Sequence, residues 1–344
     1  MGTFTQSLTD ELTAVASLGS TVAEEAATYG IEINPICKAL GINPETFDDI
    51  TARISLDRLC RLLEACAVLS HNEAFGLGCA ARFVPGATGP FGYGLMAAPT
   101  GRDFIAFLAA NIRYATHTSY FRLTFEEKFA RLSWTFAPLI VRRDQYVDMS
   151  VSLVLLRLAD IGIPTGQIEL DLERPRPRDP AVFREFLTRR LSFECAINEL
   201  RIPNALLAQV NPNGDVRMFQ MMDMQCQALQ PDLTVEGGEL FEQVKHYLML
   251  RVADPDISLT AIANYFRISE RTLQRRLAEH ETTLQALRDD VRRRVSFQLL
   301  TESDLRISEI GYRLGYSAPS AFTRSVSRWF GATPRQLRGA QPAD

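Results

Sequence analysis

No two of the six cysteines stand in a Cys-x-x-Cys spacing; they fall at 37, 60, 66, 79, 195 and 226, and the four histidines at 71, 117, 246 and 280 are as scattered. Tetrahedral metal sites need tighter ligand spacing, so neither a metal nor another cofactor is expected, and the thiols are expected reduced and mostly buried. Nor do eighteen apolar residues run together anywhere, as a membrane span requires. The opening "MGTFTQSLTDEL" has no basic segment and no apolar core of a secretory signal. Gln6 stands where a myristoylation motif wants Ser or Thr. A cytoplasmic protein with no membrane partner is the expectation.

Lysine is nearly missing from the last third. From Gly237 onward there are 16 basic and 13 acidic residues, net +3, and of the cations only Lys245 is not arginine. The rest of the chain carries −7, which gives the overall −4. A planar guanidinium suits phosphates and guanine edges better than an ammonium does, so this asymmetry marks where to look for a nucleic-acid partner.

What is present suffices for two domains: 344 residues, 46% of them hydrophobic. The stretch "LQPDLTVEGG" breaks the pattern with a proline and a Gly-Gly pair, which predicts a first domain over 1–229, a linker over 230–238 and a second domain over 239–340. In the first, "SLDRLCRLLEACAVL", "GRDFIAFLAANIRYA", "RDQYVDMSVSLVLLRLAD" and "AVFREFL" read as helices, while "YFRLTFEEKFARLSWTF" reads as two strands about a charged turn and "QIELDLE" as another strand. That mixture predicts an α+β fold. The second domain is helical throughout, in seven segments joined by short turns.

That helical domain repeats itself. Leu259, Ile262, Ala263, Phe266, Ile268 and Ser269 match Ile307, Ile310, Gly311, Leu314, Tyr316 and Ser317 at a constant offset of 48; after one inserted residue, Leu273, Gln274, Arg275 and Leu277 match Phe322, Thr323, Arg324 and Val326 at 49. Each copy is a helix, a short turn and a second helix, over about 258–280 and 306–330. Ala263 and Gly311 are small enough for a close helix crossing, and Ser269 and Ser317 are expected as N-caps. Such a helix-turn-helix lays its second helix in a major groove about 12 Å wide. The outward residues are Arg271, Thr272, Gln274 and Arg275 in the first copy and Ser317, Ser320, Thr323 and Arg324 in the second. Arginine forks onto guanine and glutamine onto adenine, so the first face has the chemistry of base readout; the second, less charged, suits phosphates and methyl groups. Between them "TLQALRDDVRRRVSFQLL" spans about 27 Å as a helix, enough with the helix radii to hold two reading heads about 34 Å apart, one turn of DNA. Its Arg292, Arg293 and Arg294 either neutralise phosphates or form a solvated face.

The segment "RISEIGYRLGYSAPSAFTRSVSRWFGATPRQLR", with "SERTLQRRLAEH" before it, resembles the DNA-binding domain of the AraC/XylS transcription regulators, whose closing Gly-x-x-Pro-x-x-x-Arg is Gly331, Pro334 and Arg338 here. The resemblance implies DNA contacts from Arg271, Gln274, Arg275, Ser320, Thr323 and Arg324. Three departures stand out: Gly311 for the usual alanine, Val326 for the usual phenylalanine, and "EHETT", which lacks the glycine that commonly ends the first recognition helix. "GPFGYGLMAAPTGRDFIAFLAANIRY" and "RIPNALLAQVNP" resemble the arabinose-binding-type sensor domain of ornithine-utilisation regulators of that family. A ligand-sensing, dimerising module is what that implies, and RNA polymerase is a further partner of an activator.

Tyr93 sits in a glycine-rich run before a helix, either an anion-binding turn or a tight packing turn. Arg113, His117 and Trp134 are the other candidates for an effector pocket, each equally suited to ordinary packing. "DVRMFQMMDMQCQAL" has Phe219, Met222, Cys226 and Leu229 at heptad-like spacing, a seam for a homodimer, a pliable ligand lining or plain core.

These features predict a transcriptional regulator that binds double-stranded promoter DNA under control of a small-molecule effector. A regulator governed by protein contacts alone is the alternative. An enzyme fused to a DNA-binding domain is the remoter one: an alkyl-repair protein would show Pro-Cys-His, which is absent, and in "GLGCAAR" Leu77 stands where a nucleophile elbow needs glycine before Cys79.

Overall fold

A computed structural model describes residues 12–117, 120–229, 239–254 and 256–339. The chain divides into two compact units, one of residues 1–135 with 142–231, the other of 136–141 with 232–344. The linker expected at 230–238 lies outside the described residues.

The first unit is built, in order, from β1 (Thr13–Val15), α1 (Leu18–Thr28), α2 (Ile33–Leu40), β2 (Arg53–Ser55), α3 (Leu56–Leu69), α4 (Phe75–Arg82), α5 (Pro90–Ala97), α6 (Gly101–Ala115), β3 (Tyr120–Phe125), β4 (Phe129–Thr135), α7 (Asp144–Asp160), β5 (Glu169–Asp171), α8 (Pro180–Phe186), β6 (Arg190–Ser192), β7 (Asn198–Pro203), α9 (Asn204–Leu207) and α10 (Val216–Leu229). Two of its longer helices start at side-chain caps: the Ser55 hydroxyl accepts from Arg58 N at 3.4 Å before α3, and Thr100 from Asp103 N at 3.1 Å before α6. On α6, Phe104, Ile105, Phe107, Leu108, Asn111 and Tyr114 are buried, the three-and-four spacing of an amphipathic helix.

The five-stranded sheet runs β3-β4-β7-β5-β6, antiparallel except for β5 beside β6. The two strands expected over 120–136 form as β3 and β4, and β7 enters between β4 and β5 with Leu132 opposite Leu200. Ala130, Leu132, Trp134, Leu170, Leu200 and Ile202 bury one face. The alternate residues form a charge ladder on the other: Arg201 meets Glu169, Asp171 and Glu199 at 2.7–2.8 Å, and Arg131 meets Glu199 at 2.8 Å. Burial alone would raise the Glu199 carboxyl; hydrogen bonds from Arg201, Ser133 and Arg131 hold it below its ordinary range.

Helix α10 packs on α5 and α6. Phe219 lies 5.4 Å from the Phe107 ring, Asp223 accepts from Asn111 at 2.7 Å, and Cys226 is fully buried. Of the heptad-like seam, Cys226 is core of its own unit and Phe219 and Met222 are half-buried, while Leu229 at its end and Met218, Met221 and Met224 on other faces are exposed.

The second unit is helical: α11 (Leu240–Leu250), α12 (Leu259–Tyr265), α13 (Glu270–Glu279), α14 (Leu284–Glu302), α15 (Ile307–Arg313), α16 (Pro319–Phe330) and α17 (Pro334–Gly339). Ile262, Ala263, Leu273 and Leu277 are buried, as are Ile310, Gly311, Phe322 and Val326, so the two sets of matched residues occupy matched places. A Cβ on Gly311 would come within 3.0 Å of the Phe322 Cβ. Phe322, which matches Leu273, thus lies close enough that an alanine at 311 would need it to give way slightly.

Candidate nucleic-acid interface

The turns after α12 and α15 share one hydrogen-bond pattern. In the first, Phe266 N donates to Ile262 O, Arg267 N to Asn264 O and Ile268 N to Ala263 O; in the second, Leu314 N donates to Ile310 O, Gly315 N to Tyr312 O and Tyr316 N to Gly311 O. Each pair is 48 residues apart. Arg267 and Gly315 both have positive φ, +54° and +78°, which turns the chain sharply into the next helix.

Beyond the turns the copies diverge. Ser269 caps α13, its hydroxyl accepting from Thr272 N at 3.1 Å. Ser317 does not cap α16: the cap position is Ala318, without a side-chain hydrogen bond, and Pro319 opens the helix. The inserted residue falls before the cap, and proline, lacking an N–H, suits the first helical position. Ser317 therefore sits exposed in the turn.

On α13, Arg271 and Gln274 are exposed and Arg271 has no partner among the described residues. The Thr272 hydroxyl lies 2.9 Å from that of Ser269 and so joins the cap. Arg275 is 66% exposed but only 3.6 Å from Glu279, which also holds Arg276 at 3.0 Å. On α16, Ser320 and Arg324 are exposed; Thr323 is half-buried and donates to Pro319 O at 3.0 Å, so its methyl and lone pair are what it can offer outward.

The arginine run of α14 is neutralised from within. Arg293 and Arg294 each meet Asp290 at 2.8 Å. Burial would raise the Asp290 carboxyl, yet the two guanidinium groups keep it below its ordinary range. Arg292 lies over the Tyr316 ring at 5.4 Å. Arg288 turns inward to Ile257 O at 3.2 Å, its pKa lowered by burial and by Arg292. Among the described arginines of this unit, the side chains of Arg267, Arg271, Arg306, Arg324 and Arg335 make no hydrogen bond, ion pair or ring contact with another described residue. Arg267 was not singled out by the sequence, because nothing in a one-dimensional pattern marks a residue of positive φ unless it is glycine or asparagine.

In the first unit, Tyr93 is 48% exposed and Arg113 half-buried in the last turn of α6. His117 is buried and locked to β1: its Nδ1 accepts from Thr13 N at 2.9 Å and its backbone N–H donates to Thr13 O at 3.0 Å. Trp134 is buried on β4, its ring 6.4 Å from that of Phe121. His117 and Trp134 thus have structural partners already. Arg53 pins the same corner, donating to Thr13 Oγ1 at 2.7 Å and to Tyr114 O at 2.6 Å.

Comparison with known proteins places these features in a wider set. Residues 30–211 match the family described as the arabinose-binding domain of AraC transcription regulators, and residues 262–340 match the helix-turn-helix domain family. An ornithine utilization regulator of Pseudomonas aeruginosa is 27% identical over 335 residues, covering 96% of this chain and 98% of its own. The transcriptional regulator VirS of Mycobacterium tuberculosis is 27% identical over 318 residues, 90% of this chain and 91% of its own. Among solved structures, the transcriptional regulator CdpR of Pseudomonas aeruginosa covers 93% of this chain and 98% of its own at 20% identity, with a TM-score of 0.39.

Proposed function

Because the chain belongs to the AraC transcription-regulator family, through the arabinose-binding-type domain that residues 30–211 match, we propose that it reads promoter half-sites with two helix-turn-helix units, α12–α13 and α15–α16, under control of a small metabolite. It is a DNA-binding transcriptional regulator with an amino-terminal sensor domain and a mostly helical carboxy-terminal domain. One observation carries the reading of the interface: the repeated turn presents two outward helices, each with an exposed arginine whose side chain has no partner among the described residues, at either end of a 19-residue helix.

Phosphate contacts supply affinity that falls steeply with salt, and Arg271, Gln274, Arg275 and Arg324 supply base readout, with Thr272, Ser317, Ser320 and Thr323 at the edges. Effector binding shifts the population between arrangements that engage DNA differently. The protein acts in the cytoplasm as a homodimer, and meets RNA polymerase where it activates.

Selection of operators from a random duplex library tests this directly. With the selected site, Arg275→Ala is expected to lose about 1–3 kcal/mol at one base position; an equal loss on every sequence would remove its readout role. For the effector, a thermal-shift screen should begin with basic amino acids, given the likeness to an ornithine utilization regulator, and continue through sugars, polyamines and aromatic acids. A ligand at a hundred times its dissociation constant adds about 2.7 kcal/mol.

A further inference from the structure

The first turn holds its residue in a conformation that the residue resists. The fold demands positive φ there whatever the side chain, since the turn after α15 repeats the same hydrogen bonds at Gly315. Glycine meets that demand freely, whereas an L-residue crowds its Cβ against the following carbonyl. The Arg267 side chain returns nothing to the fold in exchange: it is exposed and its guanidinium has no hydrogen bond, ion pair or ring contact with any described residue. The chain itself shows the alternative, a glycine, one repeat later.

Its position indicates what the side chain serves. Arg267 stands two residues before Ser269, the cap of α13, and four before Arg271, which is exposed and equally unpaired. The nearest carboxylate in sequence, Glu270, is drawn away to Thr260 Oγ1 at 2.6 Å. The start of the first reading helix therefore carries two free guanidinium groups, one on the helix and one just outside it. A group outside the helix lies beside the groove rather than in it, where the duplex offers phosphate oxygens and no base edge.

We infer that Arg267 is a phosphate contact that seats α13 on the DNA backbone, independent of sequence. This rests on the DNA-binding reading above. A flexible arginine suits it, since the guanidinium fork can take two phosphate oxygens at once.

The test compares full-length wild type with Arg267→Gly and Arg267→Lys. Each is titrated by fluorescence anisotropy against a labelled mixed-sequence duplex from about 50 to 200 mM salt, and each is melted. Arg267→Gly is expected to melt higher, because the strained position is relieved, yet to bind several-fold more weakly with a salt slope shallower by about one. Arg267→Lys keeps the charge and the wild-type slope. Stability and affinity moving in opposite directions is an outcome that a merely structural role does not produce. Wild-type affinity and slope in Arg267→Gly overturn the inference, as does a fall in melting temperature that accompanies the weaker binding. A folded wild type that ignores the duplex altogether sinks the DNA-binding reading itself, and this inference with it.

Discussion

Arg267 and Gly315 occupy one position of two successive turns, 48 residues apart, and both are left-handed, with φ of +54° and +78°. The same comparison holds where the second helices end: Glu281, just past α13, has φ +53°, and Gly331, just past α16, has φ +66°. The family resemblance leads one to expect a glycine after the first recognition helix; the backbone takes glycine's conformation there without one. Glu281→Gly should therefore stabilise the helical unit by about 1 kcal/mol, and Gly315→Ala should destabilise it by about 1–2 kcal/mol. The latter figure is conformational, because a Cβ on Gly315 meets nothing nearer than 3.6 Å. Urea unfolding followed by Trp329 fluorescence in a Trp134→Phe background would measure both, as those are the chain's two tryptophans. Opposite signs to these would mean that the fold does not hold these two positions left-handed.

Glu279 restrains two arginines of α13 at once. Exposed pairs of this kind add little to stability, so their consequence is for binding. Glu279→Gln frees both guanidinium groups and removes one negative charge from the helix. Binding to a mixed-sequence duplex should tighten several-fold at low salt, with a steeper salt dependence and a nearly unchanged melting temperature. Unchanged or weaker binding would place this end of α13 away from the phosphates.

Asp148, fully buried on α7, pairs with the buried Arg174. Burial pushes the Asp148 carboxyl well up and Arg174 pulls it back. Arg174→Met leaves the carboxylate alone and should destabilise the first unit by about 3–5 kcal/mol at neutral pH. A carboxyl with a raised folded pKa binds its proton more tightly when folded, so it weakens the fold as pH rises above its unfolded value near 3.9 and the penalty fades on acidification. The defect of Arg174→Met should shrink between about pH 8 and pH 5. Denaturation curves at the two pH values check this, and a defect that grows on acidification would show that the carboxylate keeps other partners.

Burial raises the thiols of most of the cysteines. Cys66 is pushed up to about 11 and Cys226 to about 12 by desolvation, and Cys60 and Cys79 are raised for the same reason. Cys195 is only half-buried. The thiolate is the form that reacts, so iodoacetamide at about pH 8 should label Cys195 first and the other five only after unfolding. Intact-mass spectrometry reads the count. Rapid labelling of Cys79 in the folded chain would reopen the enzymatic alternative.

Much of the helical unit was legible beforehand because its signals are local. The offset of 48 is carried by residues three and four apart, and Ser269 announces a cap that forms. Ser317 misled for a related reason: an N-cap depends on where the helix begins, and a single inserted residue with Pro319 after it moves that point by one. In the first unit, β3 and β4 were readable as a hairpin, whereas β7 was not, since six residues show nothing of the partners they pair with some 64 to 74 positions away.

The amino-acid sequence by itself determined the two-part organisation, the mostly helical second unit with its offset of 48 and the apolar residues that fill it, because these follow from short-range periodicity and from which side chains shun water. Only the tertiary structure decided which cations are available. Arg338 is turned to Leu305 O, Arg288 to Ile257 O and Arg292 to the Tyr316 ring, while Arg267, Arg271 and Arg324 are left to solvent. A charge is free or committed according to what lies within a few ångströms of it, and that distance exists only once the chain has folded.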